Sequence, residues 1–160
     1  TDGIQSMDLL GRKIVMDGGR AFTNFLKEVQ DVIDRAKKHA SLADTAQYLE
    51  KTVMRLSEVC GELAKTAAST EVKRAFAHSF PFMMAMGDVI IGWMLLWRAA
   101  ISAEALEKGV KSKDGAFYKG QITSADFYVN TVLPETMGRL ESIARMSDAA
   151  VVMEDAGFGN

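Results

Sequence analysis

Cysteine, histidine, proline and surplus positive charge are all scarce in this chain, and each scarcity closes a class of function. One cysteine, Cys60, in 160 residues cannot form an internal disulfide. Two histidines, His39 and His78, are too few for a typical zinc site, and no metal is expected. Nineteen Lys and Arg against 21 Asp and Glu leave a formal charge of −2, without the basic face that nucleic-acid binders carry. Two prolines leave long stretches uninterrupted, and no segment has a strand period or a hairpin turn. No phosphate-cradling glycine loop and no nucleophile elbow is present. No signal-like stretch opens the chain, so a cytoplasmic origin is expected.

What remains is 48% apolar and 25% charged, the balance of one soluble globular domain. Apolar spacing then organises it. Leu42, Ala46, Leu49, Val53, Leu56, Cys60, Leu63 and Ala67 recur at alternating steps of four and three. Such a seam needs a partner helix to cover it. Ser41 is the expected cap, with Asp44 three residues on. Cys60 lies on the seam and reads as a small core filler.

Phe22, Leu26, Val29, Ile33, Ala36 and Ala40 make a second stripe, and Asp17-Gly18-Gly19 separates it from a short helix over residues 4–16. From Glu71 to Gly109 the chief breaker is Pro81, which predicts a short helix near 71–79 and then one of about 27 residues. A last helix is expected from Thr123 or Ser124, its stripe formed by Val129, Leu133, Met137, Leu140 and Ala144 and kinked at Pro134. The predicted fold is all-α, an up-down four-helix bundle with short accessory helices. Residues 148–160 are expected to be a flexible tail.

Residues 75–97 carry only one charged side chain, Asp88, and would be long enough to span a membrane. Asp88, Pro81 and His78, with no marked basic flank, favour the buried centre of a bundle instead. A carboxylate buried there must be paired, hydrogen-bonded or protonated, and Arg98, Arg74 and Arg139 are its candidate partners. His78 reads as a packed imidazole and His39 as the more exposed of the two. Phosphotransfer on a histidine is a minor alternative. The residues three before them, Ala36 and Ala75, exclude the Glu-x-x-His pattern of di-metal bundles.

Two stretches carry a resemblance. Thr1-Asp2-Gly3-Ile4-Gln5, continued by Met7-Asp8-Leu9-Leu10-Gly11-Arg12-Lys13, resembles the segment that follows the catalytic glutamate of acyl-CoA dehydrogenases. Phe117-Tyr118-Lys119-Gly120-Gln121-Ile122-Thr123-Ser124-Ala125, then Leu133-Pro134-Glu135, is similar to the C-terminal helical extension of a bacterial subgroup of the 3-methylmercaptopropionyl-CoA dehydrogenase type. The resemblance implies that residues 1–16 are a terminal helix of the dehydrogenase core and that residues 17–147 form the C-terminal bundle. It places the family's catalytic Glu two positions before Thr1 and brings Thr1, Asp2 and Gly3 near FAD only in the intact parent.

No catalytic residue is therefore expected within the chain, and no cofactor on it alone. Arg12 stands beside the position where better-known members have Arg, so no substrate contact is carried over. The implied partners are the remainder of the dehydrogenase and, through it, an acyl-CoA. Ile4, Met7, Leu10 and Ile14 would be left uncovered, favouring a homo-oligomer. The alternative is an autonomous helical-bundle interaction protein, which the same bundle pattern would serve.

Overall fold

A computed structural model of the chain describes residues 1–159; Asn160, the end of the expected tail, lies outside them. Among the described residues every regular element is helical. Helix α1 (Asp2–Asp8) runs into a π-helical turn over Leu9–Lys13. Asp17, Gly18 and Gly19 follow in succession in the left-handed region, with φ of 53°, 67° and 82°. Glycine tolerates that conformation and aspartate does so better than most residues, so the chain reverses here into α2 (Arg20–Ala36). Next come α3 (Ala43–Ala67), α4 (Val72–Ala77), α5 (Ser79–Glu107), α6 (Ser112–Ala144) and the single turn α7 (Ala149–Val152).

Helices α2, α3, α5 and α6 form the bundle and alternate in direction. Side-chain contacts give the register. Gln30 of α2 and Lys37 just past its end reach Glu50 of the antiparallel α3. Arg35 reaches Glu104 of the parallel α5, and Thr45 of α3 reaches Asp126 of the parallel α6. The order around the bundle is α2, α3, α6, α5, so α3 and α5 face each other across the short diagonal. Helix α4 carries the chain across that diagonal at one end. The seam of α3 is accordingly shared between α5 and α6, with Leu49, Leu56 and Leu63 fully buried. Gly92 permits the closest approach, because a Cβ there would lie 3.4 Å from both Leu49 and Leu133 side-chain atoms.

Several local expectations are corrected. Helix α6 begins at Ser112, about three turns before Thr123, because Gly115 and Gly120 are taken up inside the helix; the true break is the left-handed Gly109. Pro81 does not itself break the chain: it sits in the first turn of α5, where its missing N–H is not needed, and the interruption precedes it at His78. Ser41 is not the cap of α3; it lies in a 3-10 turn over Ala40–Leu42, and no side chain caps the start. Helix α6 does not end at Pro134, in keeping with the apolar stripe that runs past it. After α6, Met146 adopts a left-handed φ of 48° and its carbonyl accepts from Arg74 Nε, which ties the end of α6 to the start of α4.

Charged clamps close one end of the bundle. Arg35 donates through Nε and Nη2 to Glu104 Oε1 and Oε2 at 2.6 and 2.8 Å. That pairing holds the Glu104 carboxyl below the usual carboxylate range, and Lys37 with Gln30 does the same to Glu50. Groups with depressed folded values stabilise fully above the ordinary glutamate value of about 4.3, and that stabilisation is lost as pH falls through the folded values. The melting temperature should therefore hold from pH 7 to about 5 and decline below 4. Arg35→Met should remove part of that decline in melts followed by circular dichroism; a wild-type midpoint flat to pH 3 would contradict it.

The chain exposes 9,422 Å². A compact monomer of 17.5 kDa would expose roughly 7,900 Å².

Candidate docking face

Helix α5 is apolar on all sides, and by length and composition it is the one described helix that could cross a membrane. Its inner side supplies Phe82, Ala85, Val89, Trp93, Leu96, Ala99, Ala100 and Ala103 to the core. Its outer side carries Phe80, Met84, Ile91, Met94, Trp97 and Ile101, each 37–48% exposed. A helix apolar all round is ordinarily covered all round. Here the bundle covers one side only.

Asp88 sets the rotation of that helix. Its Oδ2 accepts from Arg139 Nη1 at 2.5 Å and from the buried Thr136 hydroxyl at 2.9 Å, both on α6. Arg139 is thus the partner among the three candidates. Arg98 instead contacts Gln121, and Arg74 pairs with Glu71 at 3.0 Å and with the Met146 carbonyl. Tyr128 stands in the same surroundings, and its hydroxyl is pushed up by burial first and by the Asp88 charge second. The carboxylate is spent on holding α5 to α6, which is a structural role. On the α2 side, Phe25 meets Trp93 edge to face at 5.7 Å, and Trp93 stacks on Trp97 at 6.2 Å. The Trp93 indole N–H is buried without an acceptor.

The histidines exchange the environments expected of them. His39 is buried, its Nδ1 2.8 Å from Glu107 and its Nε2 4.0 Å from Glu104. His78 is half-buried, with Nε2 2.9 Å from the Ser147 carbonyl oxygen. The reason is tertiary: the end of α5 folds over the α2–α3 joint and covers His39, whereas His78 sits at a helix break. Leu10 and Ile14 are also buried, against the expectation that they lack cover, because the π-helical turn tucks them onto the bundle. Ile4 and Met7 do remain exposed. Thr1, Asp2 and Gly3 are exposed at the start of α1, and a Cβ on Gly3 would meet nothing within 4 Å.

Two open grooves run beside α3. One, of about 580 Å³, is lined by Asp44, Tyr48, Lys51, Arg55 and Met137 among others. The other, of about 430 Å³, lies between Ile14, Phe22, Leu26 and Cys60. Burial pushes the Cys60 thiol up to about 11, so it stays protonated and fills space. Among the described residues no group of three or more His, Cys, Asp or Glu side chains could hold a metal ion.

The described residues form an all-α bundle domain, the class of fold in which α5 carries a second apolar side that the bundle itself does not cover. Comparison with known proteins gives that class a family. The profile described as "Acetyl-CoA dehydrogenase C-terminal like" matches residues 25–154, from within α2 past the end of α7, and the chain belongs to that family.

The curated relatives agree. The chain is 28% identical to the broad-specificity linear acyl-CoA dehydrogenase FadE5 of Mycobacterium tuberculosis, over 99% of this chain and 27% of that protein. It is 33% identical to a butyryl-CoA dehydrogenase of Syntrophomonas wolfei, over 94% and 25%, respectively. It is 32% identical to the 3-methylmercaptopropionyl-CoA dehydrogenase of Ruegeria pomeroyi, over 93% and 25%. The chain therefore spans about a quarter of the length of the curated relatives it matches.

Proposed function

We propose that this chain acts as a non-catalytic assembly domain of a cytoplasmic, FAD-dependent acyl-CoA dehydrogenase. The observation that carries the reading is the reach of the family match, which takes in nearly the whole bundle while the relatives extend to about four times its length. The parent would dehydrogenate the α,β bond of an acyl-CoA thioester, with FAD as the hydride acceptor. Residues 1–16 would belong to the dehydrogenase core, with Ile4 and Met7 turned toward it, residues 17–147 to the C-terminal bundle, and residues 148–160 to its tail. The assembled enzyme would be a homo-oligomer.

Thr1, Asp2 and Gly3 would come near the flavin only in the intact parent. A cofactor site is normally a concave cleft that buries most of its ligand, and these three exposed residues make an open helix start. They do not form a flavin cradle on their own, and no step of the reaction is assigned to this chain. The purified chain should be colourless and should not reduce an electron acceptor in the presence of acyl-CoA, with or without added FAD. Flavin retained at near-stoichiometric level, or oxidation of any acyl-CoA, would overturn the reading.

A further inference from the structure

The outer side of α5 needs a cover, and its size and charge restrict what that cover can be. Phe80, Met84, Ile91, Met94, Trp97 and Ile101 are each 37–48% exposed, along roughly 32 Å of helix. At roughly 200 Å² per large side chain, this strip offers about 500 Å² of apolar surface. Covering it would bury about 1,000 Å² over both partners, short of the roughly 1,200–2,000 Å² of stable complexes between separate chains. It falls within the roughly 600–1,500 Å² of interfaces between domains of one chain. We propose that the outer face of α5 seats this domain on the remainder of its own parent polypeptide, against an apolar strip that carries one carboxylate opposite Arg98.

The start of the chain lies at the right end of the strip. Ser6 Oγ is 3.2 Å from Ser79 Oγ, at the first residue of α5 and next to Phe80. Thr1 precedes Ser6 by five residues, roughly 8 Å along the helix. The polypeptide that leads into Thr1 in the parent would therefore arrive beside the Phe80 end. A covalent link at that point holds the attached body at an effective concentration on the order of millimolar, which lets a face of modest area stay closed.

Arg98 specifies the chemistry of the cover. Asp88 is the only other ionisable residue between Phe80 and Ile101, and it is committed to Arg139. Arg98 stands between Met94 and Ile101, and its hydrogen-bond partner among the described residues is the neutral side chain of Gln121. Covering the strip strands that charge unless the covering surface supplies a carboxylate, which a guanidinium takes in two parallel hydrogen bonds. Lipid hydrocarbon offers no carboxylate. The same strip of a second copy offers only another Arg98.

This inference rests on the proposed function, and one experiment separates the two. The parent polypeptide and the 160-residue chain are oxidised by a hydroxyl-radical pulse, with a reporter peptide to equalise dose, and read by peptide mass spectrometry. Met84, Met94 and Trp97 should react at least tenfold more slowly in the parent. Met94→Glu and Arg98→Glu should each return Met84 and Trp97 of the parent to the rates of the free chain, whereas Arg98→Lys should keep most of the protection. In the 160-residue chain both glutamate variants should keep wild-type helicity, because positions 94 and 98 face solvent there.

Equal rates in the free chain and in a parent that holds flavin and oxidises acyl-CoA overturn the docking and leave the parentage standing. Protection that survives both glutamate variants also overturns it. Protection lost when the parent is diluted to monomers identifies a second copy as the occupant, and protection that requires phosphatidylcholine vesicles identifies lipid; either result counts against the proposal. An upstream reading frame that encodes no dehydrogenase removes the parentage and the docking together.

Discussion

Phe82→Ala should lower the stability of the fold by about 3–5 kcal/mol, the cost of deleting a fully enclosed ring from a packed core. Phe82 heads the fully buried side chains by size and shows no exposed surface. It also sits in the first turns of α5, close to the α4 joint, where several helices meet within a short span. A shift of α5 to close the gap is opposed at Gly92, where the helix already passes so near Leu49 and Leu133 that even a Cβ would lie 3.4 Å from their side chains. At roughly 2–4 °C per kcal/mol for a chain of this size, the midpoint should fall by about 6–20 °C. Phe82→Leu keeps much of the volume and should cost well under half as much. A thermal shift under about 2 °C for the alanine variant would mean that the core is not packed as described.

Asp88→Ala should cost about 2–3 kcal/mol, the scale of hydrogen bonds made to a charged group. Breaking a fully buried ion pair costs about 3–5 kcal/mol, because the surviving charge is stranded. The pair here is less enclosed, with the Asp88 side chain 20% exposed and that of Arg139 34%, so solvent relieves part of the loss. The Thr136 hydroxyl, with no exposed surface, loses its carboxylate partner as well. Asp88→Asn keeps an acceptor for that hydroxyl and should cost about half as much. A double-mutant cycle with Arg139→Met separates the coupling from the packing, and a coupling energy near zero would show that the contact contributes nothing.

Both sites lie on helices that were legible in the sequence for a simple reason. A helix in a bundle repeats its buried positions every three or four residues, and Leu49, Leu56 and Leu63 or Val129, Leu133 and Leu140 display that rhythm without interruption. The reversal at Asp17-Gly18-Gly19 was equally plain, since those residue types suit a left-handed backbone. The start of α6 was not. Gly115 and Gly120 look like breaks when only local propensity is considered, yet the helix runs through both and absorbs the roughly 1 kcal/mol that each glycine costs in a helix.

Other features lie beyond any local pattern. His39 is buried by Glu104 and Glu107, more than sixty residues away, and nothing near position 39 announces them. The diagonal placement of α3 and α5 belongs to the arrangement of four helices, whereas a hydrophobic stripe describes only one. Asp88 was visible as a charge needing a partner, but three arginines met the need equally well until α6 took its place. The uniform apolarity of α5 by itself predicts a buried centre. It marks two different surfaces, an inner one that the chain covers and an outer one that it leaves open.

Trp93 and Trp97 are the only tryptophans in the chain, and both lie on α5. Excited near 295 nm, the protein thus emits from a single helix, and its fluorescence is a local signal. The two indoles straddle the wall of the bundle: Trp93 faces inward onto Phe25, while Trp97 is 41% open to solvent. Their rings are nearly parallel, 15° apart, so their transitions are coupled as well as adjacent. Covering the outer face changes the polarity around one member, and loosening the helix changes the coupling of both. The molecule carries its own optical gauge at the surface where it is least complete.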